Sequence, residues 1–221
     1  MTEALIYYLL QPRGRWSISR IILYRKMEYY EQAEWVAYEL KSTYLKNNDF
    51  KRPYFIQDNK VDSGTADWRN YKNSGFDKVH LCPAGDMKFN INAYDDTFLT
   101  SNIAPQDHEF NSGIWNRLEQ TVRFWTEKYG GVLEPSLKTI VREQVAVPKQ
   151  FYKIVLHQVN GRYKMIAFLV PNESSEKPLL SYMVSVDLIE QKAGIDFFPA
   201  LEDSIENKLE KSIDRYPWFN R

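Results

Sequence analysis

Cysteine is almost missing from this chain: Cys82 is the one thiol in 221 residues, which excludes an intrachain disulfide and a thiolate zinc cluster. Long apolar runs are missing as well. No stretch approaches the roughly 18 to 20 residues that a membrane span needs, and Arg13, Arg15, Arg20 and Arg25 break up the N-terminal region. Ala4 to Leu10 is too short, and wrongly flanked, for a signal peptide. These absences predict a soluble chain with no membrane partner and leave the compartment open. An excess of charge of either sign is also lacking, since 29 basic and 29 acidic side chains cancel. Net charge therefore neither identifies nor excludes a polyanion binder, because phosphate contacts need only a local cluster of Lys and Arg.

What is present is enough apolar material for a core. Hydrophobic residues make up 43% and aromatic residues 15%, and with this length they predict one globular domain. Residues 1 to 24 carry apolar pieces separated by Gln-Pro-Arg-Gly-Arg and receive no assignment; 25 to 221 are read as the domain. Ala33, Val36, Ala37 and Leu40 fall at helical spacing and predict a helix. Tyr54-Phe55-Ile56 predicts a short strand in a polar, turn-rich stretch. A second helix is marked by the stripe Ile114, Leu118, Val122 and Trp125, with Asn111 or Ser112 as its cap and Gly130 at its end. Two strands then turn at Asn160-Gly161, and further helices begin near Val186 and Ala200. The class is α+β, a mostly antiparallel sheet with helices packed against it.

Of three histidines, only His80 lies within a cluster of polar, potentially catalytic residues: Asp77, Lys78 and Asp86 around it, then Asn102, and Asn111, Glu119 and Arg123 on the second helix. Residues four apart on a helix are neighbours, so one helix face can present an amide, a carboxylate and a guanidinium to one site. Each residue also has a plainer reading. His80 alone is a structural histidine, Asn111 an N-cap, and Glu119 with Arg123 a solvated ion pair. Trp115, Phe124 and Trp125 read as core, His108 and His157 as structural, and Cys82 as a small buried filler.

The string FDKVHLCPAGDMKFN, followed by FLTSNIAPQDHEFNSGIWNRLEQTVR, resembles the signature of the DNA/RNA non-specific endonuclease family. That family shows D-R-G-H, then S-N-(hydrophobic)-x-P-Q, then L-N-x-G-x-W-x-x-L-E. The resemblance runs from about Tyr29 to Trp218 and implies a ββα-metal (His-Me finger) fold. It implies that His80 is the general base and that Asn111 holds one Mg2+, with Mn2+ an alternative. Asn102 would support the site by hydrogen bonding, Glu119 would orient the metal's water shell, Lys78 would contact phosphate and Arg123 would stabilise the transition state. DNA and RNA are the implied partners, as substrates held through phosphate. Relatives are commonly exported; oligomeric state is left open, a homodimer included.

The chain departs from the pattern in three places. Val79 stands where the family has Gly, and a β-branched residue there is expected to strain the backbone and displace His80. Lys128-Tyr129 passes straight to Gly130-Gly131-Val132, as if a strand were missing, and Val141 stands where Gly is expected. These departures support an alternative: an impaired nuclease-like fold that binds nucleic acid or a partner protein without turnover.

Overall fold

The structure is a computed structural model that describes residues 16–18, 23–27, 32–46, 48–61, 64–139, 147–159 and 161–219. Its main sheet has seven antiparallel strands in the order β1-β2-β3-β6-β7-β8-β9. They are β1 (Trp16–Ile18), β2 (Leu23–Met27), β3 (Gln32–Lys41), β6 (Gly131–Thr139), β7 (Gln150–Val159), β8 (Arg162–Pro171) and β9 (Met183–Val184). A second, two-stranded antiparallel sheet pairs β4 (Asp77–His80) with β5 (Ile103–Gln106).

Helix α1 is Ile91–Asp96. Helix α2 runs through three pieces, His108–Phe110, a π-turn at Asn111–Trp115 and Asn116–Tyr129, and is kinked at Gly113, whose backbone (φ −95°, ψ −105°) is not helical. Helices α3 (Val186–Ala193), α4 (Asp203–Glu210) and α5 (Tyr216–Phe219) follow.

Strands β3, β7 and β8 of the main sheet are buried on both faces, and the pleat sorts their residues between two clusters. Val36, Tyr38, Leu40, Phe151, Val155, Ile166, Phe168 and Val170 face one cluster, into which α2 sends Ile114, Trp115, Leu118, Val122 and Trp125. Trp35, Ala37, Tyr152, Ile154, Leu156, Met165, Ala167 and Leu169 face the other, closed by Val186 and Ile189 of α3 and the Phe197-Phe198 corner. Alternation along each strand is the period-two geometry of an extended chain.

This double burial overturns the first helix read from the sequence. Residues 32 to 41 form a strand, not a helix, and Ala33, Val36, Ala37 and Leu40 are all buried because apolar neighbours cover both sides. A strand covered on both faces carries a near-continuous apolar run, and any such run contains helical spacings. The strand thought missing after α2 is present as β6, hydrogen-bonded between β3 and β7. Gly130, at φ +88°, ends α2 in the left-handed conformation, so the chain turns directly into Gly131. Tyr54-Phe55-Ile56 makes only one bridge, Ile56 to Leu99, rather than a strand. The hairpin of β7 and β8 is formed in the expected register, with Gly161 at φ +74°. Asn160 and Val141 lie outside the described residues.

Gly130 has nothing within 4 Å of the place a Cβ would occupy, so the whole cost of a side chain there is conformational. Gly130→Ala is expected to lower stability by about 1–2 kcal/mol, the price of a left-handed L-residue. Equilibrium denaturation by urea measures this, and an unchanged midpoint would refute the turn as the constraint.

Candidate active site

β4 is paired residue for residue with β5, Lys78 opposite Pro105, Val79 opposite Ala104 and His80 opposite Ile103. Just beyond it the side chain of Asn102 fixes the chain that leaves His80. Its Oδ1 accepts from the Cys82 N–H at 2.9 Å, while its Nδ2 donates to the carbonyls of Cys82 at 3.0 Å and Thr97 at 2.9 Å. Asn102 is itself buried. Its carboxamide therefore acts on the backbone two residues from His80.

Val79 takes its place in β4 without strain. Among the described non-glycine residues only Asn73 and Phe198 have positive φ, and an extended chain suits a β-branched side chain. The expected distortion at this position is absent.

An open pocket of about 360 Å³ lies between β4 and α2. Lys78 and His80 line it from β4, Pro83, Ala84 and Gly85 from the turn that follows, and Asn111, Glu119 and Arg123 from α2. Arg52, Tyr94 and Phe98 complete the wall. His80, Lys78, Asn111, Glu119 and Arg123 are thus brought together, while Asn102 stands behind the wall.

His80 is partly buried, its ring edge-on to Phe98 at 4.7 Å between centroids and tilted on Phe55 at 5.5 Å. Its Nε2 is enclosed and has no hydrogen-bond partner among the described residues. Burial, and then the charge of Arg52, push its pKa down to about 4. The imidazole is therefore neutral across the physiological range.

Asn111 is not the helix cap. That role falls to Asp107, whose Oδ1 accepts from the Phe110 N–H at 2.9 Å, and Asn111 lies in the π-turn one helical turn further on. Its Nδ2 donates to Asp77 Oδ2 at 3.2 Å. With the NH2 group held this way, the carbonyl oxygen is the atom left to meet a cation. Asp77 also pairs with His108 Nδ1 at 2.8 Å, which raises the pKa of that exposed histidine. His108 is thus engaged in a surface ion pair and His157 bonds the Gly131 carbonyl at 2.7 Å, in keeping with structural roles for both.

Arg123 is held from two sides. Its Nε donates to Asp86 Oδ1 at 2.5 Å and its Nη2 to Glu119 Oε2 at 3.4 Å. Asp86 is buried and also accepts from the Tyr38 hydroxyl at 3.0 Å, which ties the guanidinium to strand β3 of the main sheet. Burial works against the charge, but Asp86 and Glu119 outweigh it and keep Arg123 above its ordinary pKa. A Cβ on Gly85 would lie 3.3 Å from Arg123 Nη2, so glycine makes room for this arrangement.

Sequence reasoning did not find Arg52. It comes from the loop before β4, with Cζ 5.8 Å from the Phe55 ring and 5.6 Å from the Phe98 ring. Nothing in its local sequence distinguishes it from other loop arginines. The tie of Arg123 to Tyr38 and Asp86 was also missed, although Asp86 belonged to the polar cluster around His80. Trp115 and Trp125 are core, as read, and Phe124 is exposed.

An antiparallel strand pair backed by a helix, with a histidine on the strand and an asparagine on the helix lining one pocket, defines the ββα-metal nuclease fold. The model of DNA/RNA non-specific endonucleases matches residues 21–204, and the chain belongs to that family. Nuclease EXOG, mitochondrial, of Danio rerio is 36% identical over 192 residues, covering 76% of this chain and 56% of that protein. Endonuclease G, mitochondrial, of Homo sapiens is 31% identical over 189 residues, covering 76% and 64%. Nuclease C1 of Cunninghamella echinulata var. echinulata is 31% identical over 210 residues, covering 84% and 82%. A crystal structure of the EndoG/EndoGI complex superposes with a TM-score of 0.83 at 23% identity, covering 91% of this chain and 93% of that chain. This chain spans about half the length of the mitochondrial EXOG relatives it matches, 56%, 58% and 43% for three of them.

The Asp86 lock makes a prediction. Asp86→Asn removes the charge partner of a partly buried guanidinium and is expected to lower stability by about 2–4 kcal/mol, since breaking a buried pair strands the other ion. Thermal or urea unfolding measures the loss; a change below about 0.5 kcal/mol would place Arg123 in solvent instead.

Proposed function

We propose that this chain is a divalent-metal-dependent endonuclease that hydrolyses phosphodiester bonds in DNA and RNA without sequence or sugar selectivity. The observation that carries the reading is the convergence of His80, Asn111, Glu119 and three cationic side chains, Arg52, Lys78 and Arg123, on one pocket. The reading assigns the catalytic unit to residues 25–221.

The residues present fit a hard divalent ion. A carboxamide oxygen on Asn111, with the Glu119 carboxylate on the same helix, offers oxygen donors only, and Mg2+ keeps several waters and needs few protein ligands. Asn111 would be the direct ligand and Glu119 would hold the ion's water shell. Manganese suits the same donors. When bound, the ion supplies positive charge next to the leaving oxygen.

The chain's own groups do the rest. His80, neutral at pH 7, takes the proton from a water as its oxygen attacks phosphorus; the bond from phosphorus to the 3′ oxygen breaks, the 3′ oxygen takes up a proton from solvent water to become a hydroxyl, and the phosphate stays on the 5′ side. Phe55 and Phe98 keep one side of the imidazole dry. Arg52, Lys78 and Arg123 bind the non-bridging oxygens, where negative charge builds up. Asn102 positions His80 through the Cys82 backbone. Because all three cations meet phosphate and none needs a base edge or a 2′-hydroxyl, selectivity among sequences and between sugars is low.

The impaired alternative was motivated by Val79, by a missing strand and by Val141. Val79 lies unstrained in β4 and β6 fills the sheet, which removes two of its grounds; the third, Val141, lies outside the described residues.

Purified chain is expected to cut plasmid DNA and RNA with Mg2+ and to stop with a chelator. His80→Ala is expected to reduce turnover by about 10²–10⁴-fold; equal cleavage by both proteins would refute His80 as the base. The pH profile offers a separate check. A base whose pKa is depressed stays neutral, hence active, as pH falls until its folded pKa is reached. The acid limb of kcat/KM is expected near pH 4 rather than at the ordinary 6.5, and Arg52→Ala is expected to move it upward.

A further inference from the structure

A second groove opens beside the nuclease pocket and is continuous with it, since Gly85 and Arg123 line both. Its volume is about 460 Å³, and it lies between α2 and the segments that follow β3 and β4. From α2 come Phe124, the residue after Arg123, and Glu127 about one turn further on. Lys46 and Lys88 come from the other two segments. An exposed phenylalanine is ordinary by itself. This one, at 56% exposure, shares its groove with two lysines and follows directly on a residue of the nuclease pocket.

The lysine side is built from two stretches of chain locked together. Tyr44 stacks on Phe89 with ring centroids 3.9 Å apart, and Asn48 Nδ2 donates to the Lys88 carbonyl at 2.7 Å. Lys46 and Lys88 are thereby held in one wall. Among the described residues neither lysine has a salt-bridge partner. Glu127 is the one carboxylate among the described residues of the lining, and it repels phosphate from the α2 side towards the lysines. An open aromatic ring beside cations is what holds a single nucleic-acid strand, the ring taking a base and the cations the backbone. A duplex cannot use such a ring without unstacking a base, which is costly.

We propose that this groove is a subsite for the nucleotide next to the scissile phosphate in a single strand. Phe124 stacks on its base, Lys46 and Lys88 hold its backbone, and the three together favour single-stranded over duplex substrate. The proposal rests on the nuclease reading of the adjoining pocket. Stacking accepts any base, so the groove adds a preference for strand form without one for sequence.

The test measures binding of labelled single-stranded DNA to the full chain by fluorescence anisotropy, in chelator so that no strand is cut. Phe124→Ala is expected to weaken binding about 5- to 100-fold, and Phe124→Trp to preserve it. On a duplex of equal length, and on a fully abasic strand that keeps each phosphate but offers no base, Phe124→Ala is expected to cost less than about twofold. Lys46→Ala combined with Lys88→Ala is expected to flatten the slope of log Kd against log salt by about 1.4, the loss of two phosphate contacts on a single strand. All three side chains are exposed or half-exposed, and an unchanged Tm checks that each variant folds. A loss below about twofold for Phe124→Ala on the single strand, or an equal loss on the abasic strand, overturns the stacking subsite. An unchanged salt slope overturns the lysine contacts. Failure of the nuclease reading shows elsewhere, as plasmid left intact with Mg2+, and does not alter these binding outcomes.

Discussion

The burial of one helix stripe against one sheet sets everything else. Ile114, Trp115, Leu118, Val122 and Trp125 dock α2 onto the face made by Val36, Tyr38, Phe151 and Phe168, and burying several large side chains is the strongest favourable term available to a chain of this size. Once that stripe is fixed, the rest of the helix has no freedom to turn. Asn111, Glu119 and Arg123 then face β4 because the core leaves them no other side. Core packing and site geometry are one constraint read from two directions.

The opposing wall is held differently. β4 belongs to a sheet of only two strands, and such a pair is marginal by itself. Here polar contacts add what area cannot. Asn102 grips the backbone after His80 with two hydrogen bonds and ties it to Thr97 with a third, and Asp86 links the turn after β4 to Arg123 and Tyr38. Charge is arranged with the same economy. A chain with no net charge places Arg52, Lys78 and Arg123 around one cleft; Asp86 and Glu119 balance Arg123 there, which leaves Arg52 and Lys78 to set the local positive field whatever the total.

How much of this the sequence disclosed depends on how local the cause was. α2 was legible because its stripe is one-sided and its end is marked by glycine. The residues facing the pocket were legible as chemistry, since an imidazole, an amide, a carboxylate and two cations recur at the spacing of a recognisable signature. β3 was misread because both of its faces are covered, which erases the alternation that marks a strand. β6 was hidden behind Gly130-Gly131 and carries Pro135 within it. Arg52 was invisible for a deeper reason: it reaches His80 only through the folded path of the intervening loop, and no local pattern encodes that meeting.

The π-turn at Asn111–Trp115 has a consequence for alignment. In a regular α-helix successive residues advance by about 100°, so positions eight apart are rotated by about 80°. Asn111 and Glu119 would then point to different quarters. The turn breaks that count, because Gly113 leaves helical geometry at φ −95°, ψ −105° and kinks the axis between the two residues. The irregularity acts as a phase corrector: it lets the apolar stripe keep its own register on the sheet while amide and carboxylate, on either side of the kink, both line one pocket.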